Sequence, residues 1–328
     1  MHTTKQVAQF LKDNNNYVII PHRSPDGDCL GSTSALLLAL RALGKNAKIV
    51  LPSPVTQRLS FIWDSSYEEG DFEPEVAIAV DVAAPYMMLE LYDEVFSKAK
   101  STVCIDHHGT NEGFAQINCV DSQAAAAGEI MCAVIEDLGV ELTKAIAERL
   151  FVAIADDTGG FQYSNTTTRT HRAASQLYGA GINSADIMRA LFATRTKAEM
   201  NLLKFVTARM EYHFGGKVCT TWVDGEALEQ SGAEMSNADA WIGLTRSVDG
   251  VEVGLMFKVL AENETRVSLR SNNYVDVASV AQKFGGGGHV RAAGVTFLTN
   301  LELQKKVFCQ NSKSWCNNGK SKRHCYCR

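Results

Sequence analysis

Four stretches of the chain combine residue types that can hold divalent cations: His22-Arg23-Ser24-Pro25-Asp26-Gly27-Asp28, then Asp81, then Asp106-His107-His108, then Asp157. All four are read as lying where strands end. Carboxylates and imidazoles converging on one sheet edge repel or desolvate one another unless cations neutralise them, so four aspartates in one crevice call for metal. A set of carboxylates and neutral histidines without cysteine favours Mn²⁺, with Mg²⁺ and Co²⁺ as alternatives the sequence does not separate, over structural zinc. This many ligands satisfy two ions more easily than one. Two ions roughly 3.5–4 Å apart, bridged by a carboxylate and a hydroxide, hold an activated water poised for in-line attack on phosphorus.

The elements that must position these residues follow from periodicity. Short apolar runs at Tyr17-Val18-Ile19-Ile20, Ala47-Lys48-Ile49-Val50-Leu51, Val76-Ala77-Ile78-Ala79-Val80 and Thr102-Val103-Cys104-Ile105 read as strands. Helical patterns over 29–43, 124–138, 143–155 and 170–179 alternate with them, which is the signature of an α/β parallel sheet built from βαβ units. Such sheets carry their ligands at the carboxyl ends of the strands. A polar helix near 195–212 reads as a connector, giving a first domain over 1–190, a linker helix over 191–212 and a smaller α/β domain over 213–304. The second domain offers strands at 217–223, 251–260 and 265–270, a helix at 275–284 and the cluster Gly285-Gly286-Gly287-Gly288-His289.

Composition narrows the class. The chain has 328 residues, 45% hydrophobic and 21% charged, with 25 Gly and 6 Pro, a globular balance. No run reaches the ~18 apolar residues of a membrane span and the N-terminus has no secretory h-region, so the expected location is cytoplasmic, with no membrane partner. Residues 305–328 hold seven of the 32 Lys and Arg and none of the 37 Asp and Glu, leaving an acidic body. Long duplex nucleic acid needs a basic footprint that this body lacks. Cys29, Cys104, Cys119, Cys132 and Cys219 sit singly in apolar or helical contexts, as reduced thiols do. Cys309, Cys316, Cys325 and Cys327 crowd the basic tail, but their spacing matches no zinc ribbon or finger. The tail after Val307 lacks apolar periodicity and reads as an extension foreign to the domain.

The set His22-x3-Asp26-x-Asp28, Asp81, Asp106-His107-His108 and Asp157 resembles the four ordered motifs of the DHH phosphoesterases. Phe284 to Gly294, FGGGGHVRAAG, is similar to the glycine-rich signature of the DHH-associated domain, so the resemblance spans roughly residues 15–298. Within that family the chain looks like the short NrnA-type members, which degrade short oligoribonucleotides and dephosphorylate 3′-phosphoadenosine 5′-phosphate. The resemblance implies that His22, Asp26 and Asp81 hold a first Mn²⁺, and that Asp28, Asp81, His107 and Asp157 hold a second, with Asp81 bridging. It implies that His108 hydrogen-bonds a nonbridging phosphate oxygen and that Asp106 orients a histidine. Where relatives usually carry a small or hydroxyl residue before the fourth ligand this chain has Asp156; Thr158-Gly159 favours Asp157. In the second domain it implies a substrate grip made by backbone N–H groups of Gly286, Gly287 and Gly288, by His289, and by Arg270 with Ser271, Arg291 being a weaker candidate. The implied partners are short single-stranded RNA and small phosphorylated nucleotides, and the oligomeric state, a homodimer included, is left open.

Plainer readings stand beside these. An Asp-Gly-Asp stretch is most often a turn, Asp81 could cap the helix near Pro85, four glycines could be a linker, and Arg270 could be a surface strand arginine. Two other activities use similar metal motifs or substrates: a pyrophosphatase or exopolyphosphatase, and a pApA phosphodiesterase. A pyrophosphate grip would want several Lys and Arg where the second domain offers glycines, Arg270 and His289. A catalytically silent nucleotide sensor would have no need of every metal-binding carboxylate.

Overall fold

The N-terminal strands are apolar on both faces, and this dictates their burial. In a computed structural model of the chain, which describes residues 1–299 and 301, five strands form one all-parallel sheet: β1 (Tyr17–Pro21), β2 (Ala47–Ile49), β3 (Val76–Val80), β4 (Ser101–Asp106) and β5 (Ile117–Val120), in the order β2-β1-β3-β4-β5. Tyr17 and Ile19 of β1, Val76, Ile78 and Val80 of β3, and Val103 and Ile105 of β4 enter one core. Val18, Ile20, Ala77, Ala79 and Cys104 face the other way, under Met88 and Phe96. The strand period of two therefore feeds two apolar layers, as in sheets covered on both faces.

The first core is closed by α1 (Thr4–Asp13), α2 (Gly27–Ala42), α3 (Ala127–Leu138), α4 (Lys144–Asp157) and α5 (Thr168–Gly179). Gly31 of α2 packs so tightly on α4 that a Cβ there would lie 2.4 Å from Arg149 O. That approach brings the start of α2 to the end of α4. A short helix α6 (Ser184–Met188) ends this unit, whose boundary falls between Thr194 and Arg195. No described helix is long and apolar enough to cross a membrane.

The segment expected as one connector helix over 191–212 is α7 (Lys197–Ala208) followed by β6 (Glu211–His213). A Thr196 capping box with Glu199 starts α7, and Leu202 and Val206 are buried against Val223, Ala227, Trp241 and Met256 of the second unit. Buried apolar contacts therefore make it part of that unit's core. The second unit is a six-stranded sheet, order β10-β11-β9-β8-β7-β6, with β7 (Val218–Val223), β8 (Val253–Ala261), β9 (Glu264–Ser271), β10 (Gly287–His289) and β11 (Ala292–Phe297). Only β7 and β8 pair in parallel; the other neighbours are antiparallel. Helix α8 (Gly225–Ser231) joins α7 in one core, and α9 (Val277–Gln282) covers the other. The expected tail after Val307, with its four cysteines, lies outside the described residues.

Candidate metal and phosphate site

Strand order decides where a ligand sits. In the order 2-1-3-4-5 the side on which successive strands are added reverses between β1 and β3, and the crevice beyond their carboxyl ends is the binding position of such sheets. His22 directly follows β1 and Asp81 directly follows β3. Asp81 leaves the strand with φ +58°, a left-handed conformation that a short polar side chain tolerates better than most. Its N–H still closes the ladder on Ile105 O at 2.9 Å.

Three histidines surround it. Asp81 lies 3.5 Å from His22 Nε2, from His107 Nε2 and from His108 Nδ1. His22 Nε2 is also 3.8 Å from Asp26, and His107 Nε2 is 3.7 Å from both Asp28 and Asp157. Backbone carbonyls can only accept, so the contacts of His22 Nδ1 with Arg23 O (2.7 Å) and His107 Nδ1 with Ala124 O (3.3 Å) place the proton on Nδ1. Nε2 of each ring then faces the carboxylates, the orientation of a metal-ligating histidine.

The charge balance points the same way. Burial, then the charges of Asp81 and Asp157, push the Asp28 carboxyl well above the usual carboxylate range; burial, then Asp26 and Asp81, do the same to Asp157. Asp81 Oδ1 is buried and accepts no hydrogen bond. Like charges this close and an orphaned oxygen are what a divalent cation would resolve, and two triads, Asp81-His107-His108 and Asp28-His107-Asp157, have ligand atoms within 4.8 Å of one another. Cys29 forms a third such group with His22 and Asp81. Burial pushes its thiol up to about 12 and the thiol donates to Val80 O, so it keeps its proton at neutral pH.

His108 belongs to a different arrangement. Its Nδ1 donates to Asp106 Oδ1 at 2.7 Å, and Asp106 also accepts from His107 N (2.8 Å) and from Asn111 Nδ2 (2.7 Å). Burial alone would lower the His108 ring; the Asp106 hydrogen bond and the Asp81 charge outweigh it and raise it to about 9. Burial would raise Asp106, but the His108 bond holds its carboxyl below the usual range. Asp106 is fully buried and orients His108.

Two sequence expectations change in detail. Asp26-Gly27-Asp28 is no loop: Asp26 is the N-cap of α2, accepting from Cys29 N, and Asp28 stands in the helix's first turn. From there the Asp28 carboxylate accepts from Ala127 N (2.6 Å) and Gly128 N (2.9 Å), capping α3, whose own N-cap position Ala126 has no oxygen to offer. Asp157 ends helix α4 rather than a strand, because the apolar face that starts at the Thr143 cap continues to Ala155. Convergence survives, since α2 and α4 are in close contact.

Asp156 and Asp157 separate cleanly. Arg58, on a 3₁₀ turn over Gln57–Ile62, grips Asp156 with both arms of its fork at 2.7 and 3.0 Å, and Gly27 N donates to the same carboxylate at 2.7 Å. Asp157 instead faces His107. Arg58 and Asn111 are site residues that sequence reading missed; the uncommon Asp156 was the available signal for a cationic partner. Asp157→Asn is expected to lower turnover by about a hundredfold or more, and Asp156→Asn by less than tenfold. Steady-state rates of the two variants check this.

In the second unit the expected grip residues are placed unevenly. Arg270 pairs with Gly254 and Ala292 across the sheet, and its Nη1 donates to Leu269 O at 3.0 Å. Ser271 is fully buried and donates to Val275 O at 2.7 Å, so its hydroxyl locks the turn after β9 instead of facing a phosphate. Arg291 is spent on the same turn through Val275 O and Asn273 O. The glycine cluster is an edge strand rather than an open nest: Gly286 N donates to Ala281 O, and a Cβ at Gly286 would meet Gly294 O at 2.3 Å. Close approach to β11 thus accounts for glycine at 286 and at 288, where a Cβ would meet Ala292 O at 2.5 Å. His289 ends β10.

Residues 16–154 match the DHH family, N-terminal domain, and residues 215–318 match the DHHA1 domain, which runs past Val307 into the tail read as foreign. The chain is 35% identical over 302 residues to the bifunctional oligoribonuclease and PAP phosphatase NrnA of Thermus thermophilus, covering 91% of this chain and 89% of that one. It is 26% identical to the NrnA of the same description from Bacillus subtilis, covering 85% and 88%. The crystal structure of an exopolyphosphatase-related protein from Bacteroides fragilis superposes with a TM-score of 0.89 at 22% identity, covering 96% and 97%, and so shares the fold.

Proposed function

The chain belongs to the DHH family of phosphoesterases, and from that premise we propose that it hydrolyses short oligoribonucleotides to mononucleotides and 3′-phosphoadenosine 5′-phosphate to AMP. The observation that carries this reading is Asp81 at the sheet's switch point with His22, His107 and His108 each 3.5 Å away. The residues fit divalent cations: His22, Asp26 and Asp81 would hold one ion, and Asp28, Asp81, His107 and Asp157 a second. Mn²⁺ suits this imidazole and carboxylate set, with Mg²⁺ or Co²⁺ as alternatives. When bound, such ions supply Lewis-acid charge and lower the pKa of a water nucleophile.

The chain's own residues do the rest. Asp106 holds the proton of His108 on Nδ1 and fixes the ring against Asp81, so the imidazolium stands where charge develops on phosphate oxygens. Asn111 holds the second oxygen of Asp106. Arg58 neutralises Asp156, which would otherwise add a further charge beside Asp26 and Asp157. Arg270 is the second unit's candidate for the far phosphate, with Gly287, Gly288 and His289 on the neighbouring edge strand.

Metal-stripped protein resupplied with Mn²⁺ tests the reading on four substrates: a labelled RNA dinucleotide, a 24-mer, 3′-phosphoadenosine 5′-phosphate and pyrophosphate. Release of mononucleotide and phosphate from the first and third is the expected result. Consumption of pyrophosphate alone would replace it with the pyrophosphatase reading, and nucleotide binding without hydrolysis with the sensor.

A further inference from the structure

Beside the histidine cluster, the first unit holds a recess of about 440 Å³. One wall, Ala83, Ala84 and Pro85, begins two residues after Asp81; the other, Thr110, Glu112 and Phe114, begins two residues after His108. Asn111 ties both walls to the site. Its Nδ2 donates to Val82 O at 3.0 Å and to Asp106 at 2.7 Å, and its Oδ1 accepts from Gly113 N at 2.8 Å. The Phe114 ring is held by Phe96, with centroids 5.6 Å apart. The recess is therefore fixed to the same backbone that carries Asp81 and His108.

We propose that this recess takes the nucleobase of the nucleotide whose phosphate is hydrolysed at Asp81 and His108. The assignment rests on the phosphoesterase reading above and names its recognition element. Ala83, Ala84, Pro85 and Phe114 offer apolar surface to a planar ring, and the volume falls in the range of small-ligand sites. Thr110 and Glu112 supply the few polar groups that fix orientation. Glu112 is exposed and makes no hydrogen bond or ion pair with any described residue. Its negative charge disfavours a phosphate or polyphosphate in the recess. A carboxylate there accepts hydrogen bonds from an exocyclic amine, which adenine, guanine and cytosine carry and uracil lacks.

The experiment compares kcat/KM for 3′-phosphoadenosine 5′-phosphate with that for ribose 3,5-bisphosphate, which has the same phosphates and no base. Wild-type protein should prefer the nucleotide, and Ala84→Trp, which fills the recess, should reduce that preference by about tenfold or more, since stacking a base is worth roughly 1–3 kcal/mol. Glu112→Gln, at an exposed position without internal partners, should reduce the preference for the adenine over the uracil nucleotide by several-fold. Equal losses on both substrates in Ala84→Trp together with unchanged base preference in Glu112→Gln would overturn the proposal, as would a wild-type protein indifferent to the base. Failure of wild type to hydrolyse either compound is a separate result, and it removes the phosphoesterase reading on which the subsite rests.

Discussion

Asp81→Asn is expected to reduce turnover on the order of 10³-fold or more while leaving the metal-free protein at least as stable as wild type. Asparagine keeps the shape of the side chain and tolerates φ +58°, so the backbone at the end of β3 does not suffer. It removes one of the charges that raise the Asp28 and Asp157 carboxyls, and Oδ1 accepts no hydrogen bond whose loss could cost stability. Asp81 approaches His22 and His107, one in each proposed ligand set, so both should lose affinity together. Metal content after dialysis, steady-state rate and a thermal melt in chelator measure the three parts. Near-normal turnover in this variant would overturn the metal assignment, and a large drop in melting temperature would show Asp81 to be mainly structural.

Metal removal should abolish activity and leave a protein whose stability falls as pH rises. The sign follows from the raised carboxyls: Asp28 and Asp157 favour the protonated form when folded, so between the unfolded value near about 4 and their higher folded values the native state binds more protons than the unfolded one. Their favourable contribution is complete below about pH 4 and is lost on going upward through the folded pKa values. Added Mn²⁺ should therefore raise the melting temperature more at pH 7.5 than at pH 5, where protons compete for the same oxygens. At a hundredfold excess over its dissociation constant a bound ion stabilises by about 2.7 kcal/mol. Melting curves at the two pH values, with and without Mn²⁺, decide it; an equal or larger shift at pH 5 would contradict the account.

Legibility in the sequence tracked local physics. Val76–Val80 and Tyr17–Ile20 were readable because unbroken β-branched and apolar runs have no other stable home than a sheet buried on both faces. β5 was missed: Ile117-Asn118-Cys119-Val120 is four residues long and carries a polar residue. The end of α4 was placed two residues early because Asp156 and Asp157 look like a helix stop, whereas Arg58, distant in sequence, neutralises one of them within the helix. Ser271 was expected beside Arg270 as part of the phosphate grip that the family resemblance implies. The turn to Val275 consumes its hydroxyl, a contact that depends on how the chain bends after β9.

By itself the sequence determined the chemistry available to this protein: which carboxylates and imidazoles it has, that His22, Asp81 and Asp106-His107-His108 follow apolar strands, and that such a set is of the kind that suits divalent cations. Donor type and burial tendency are properties of single residues and short runs, so they survive without coordinates. Tertiary structure alone decided which of these groups come together. Strand order set His22 beside Asp81, close packing at Gly31 brought α2 to α4 and so Asp28 to Asp157, and the fork of Arg58 separated Asp156 from its neighbour. Each of these depends on contacts between residues far apart in the chain, where the energy lies in packing and electrostatics that no local pattern encodes.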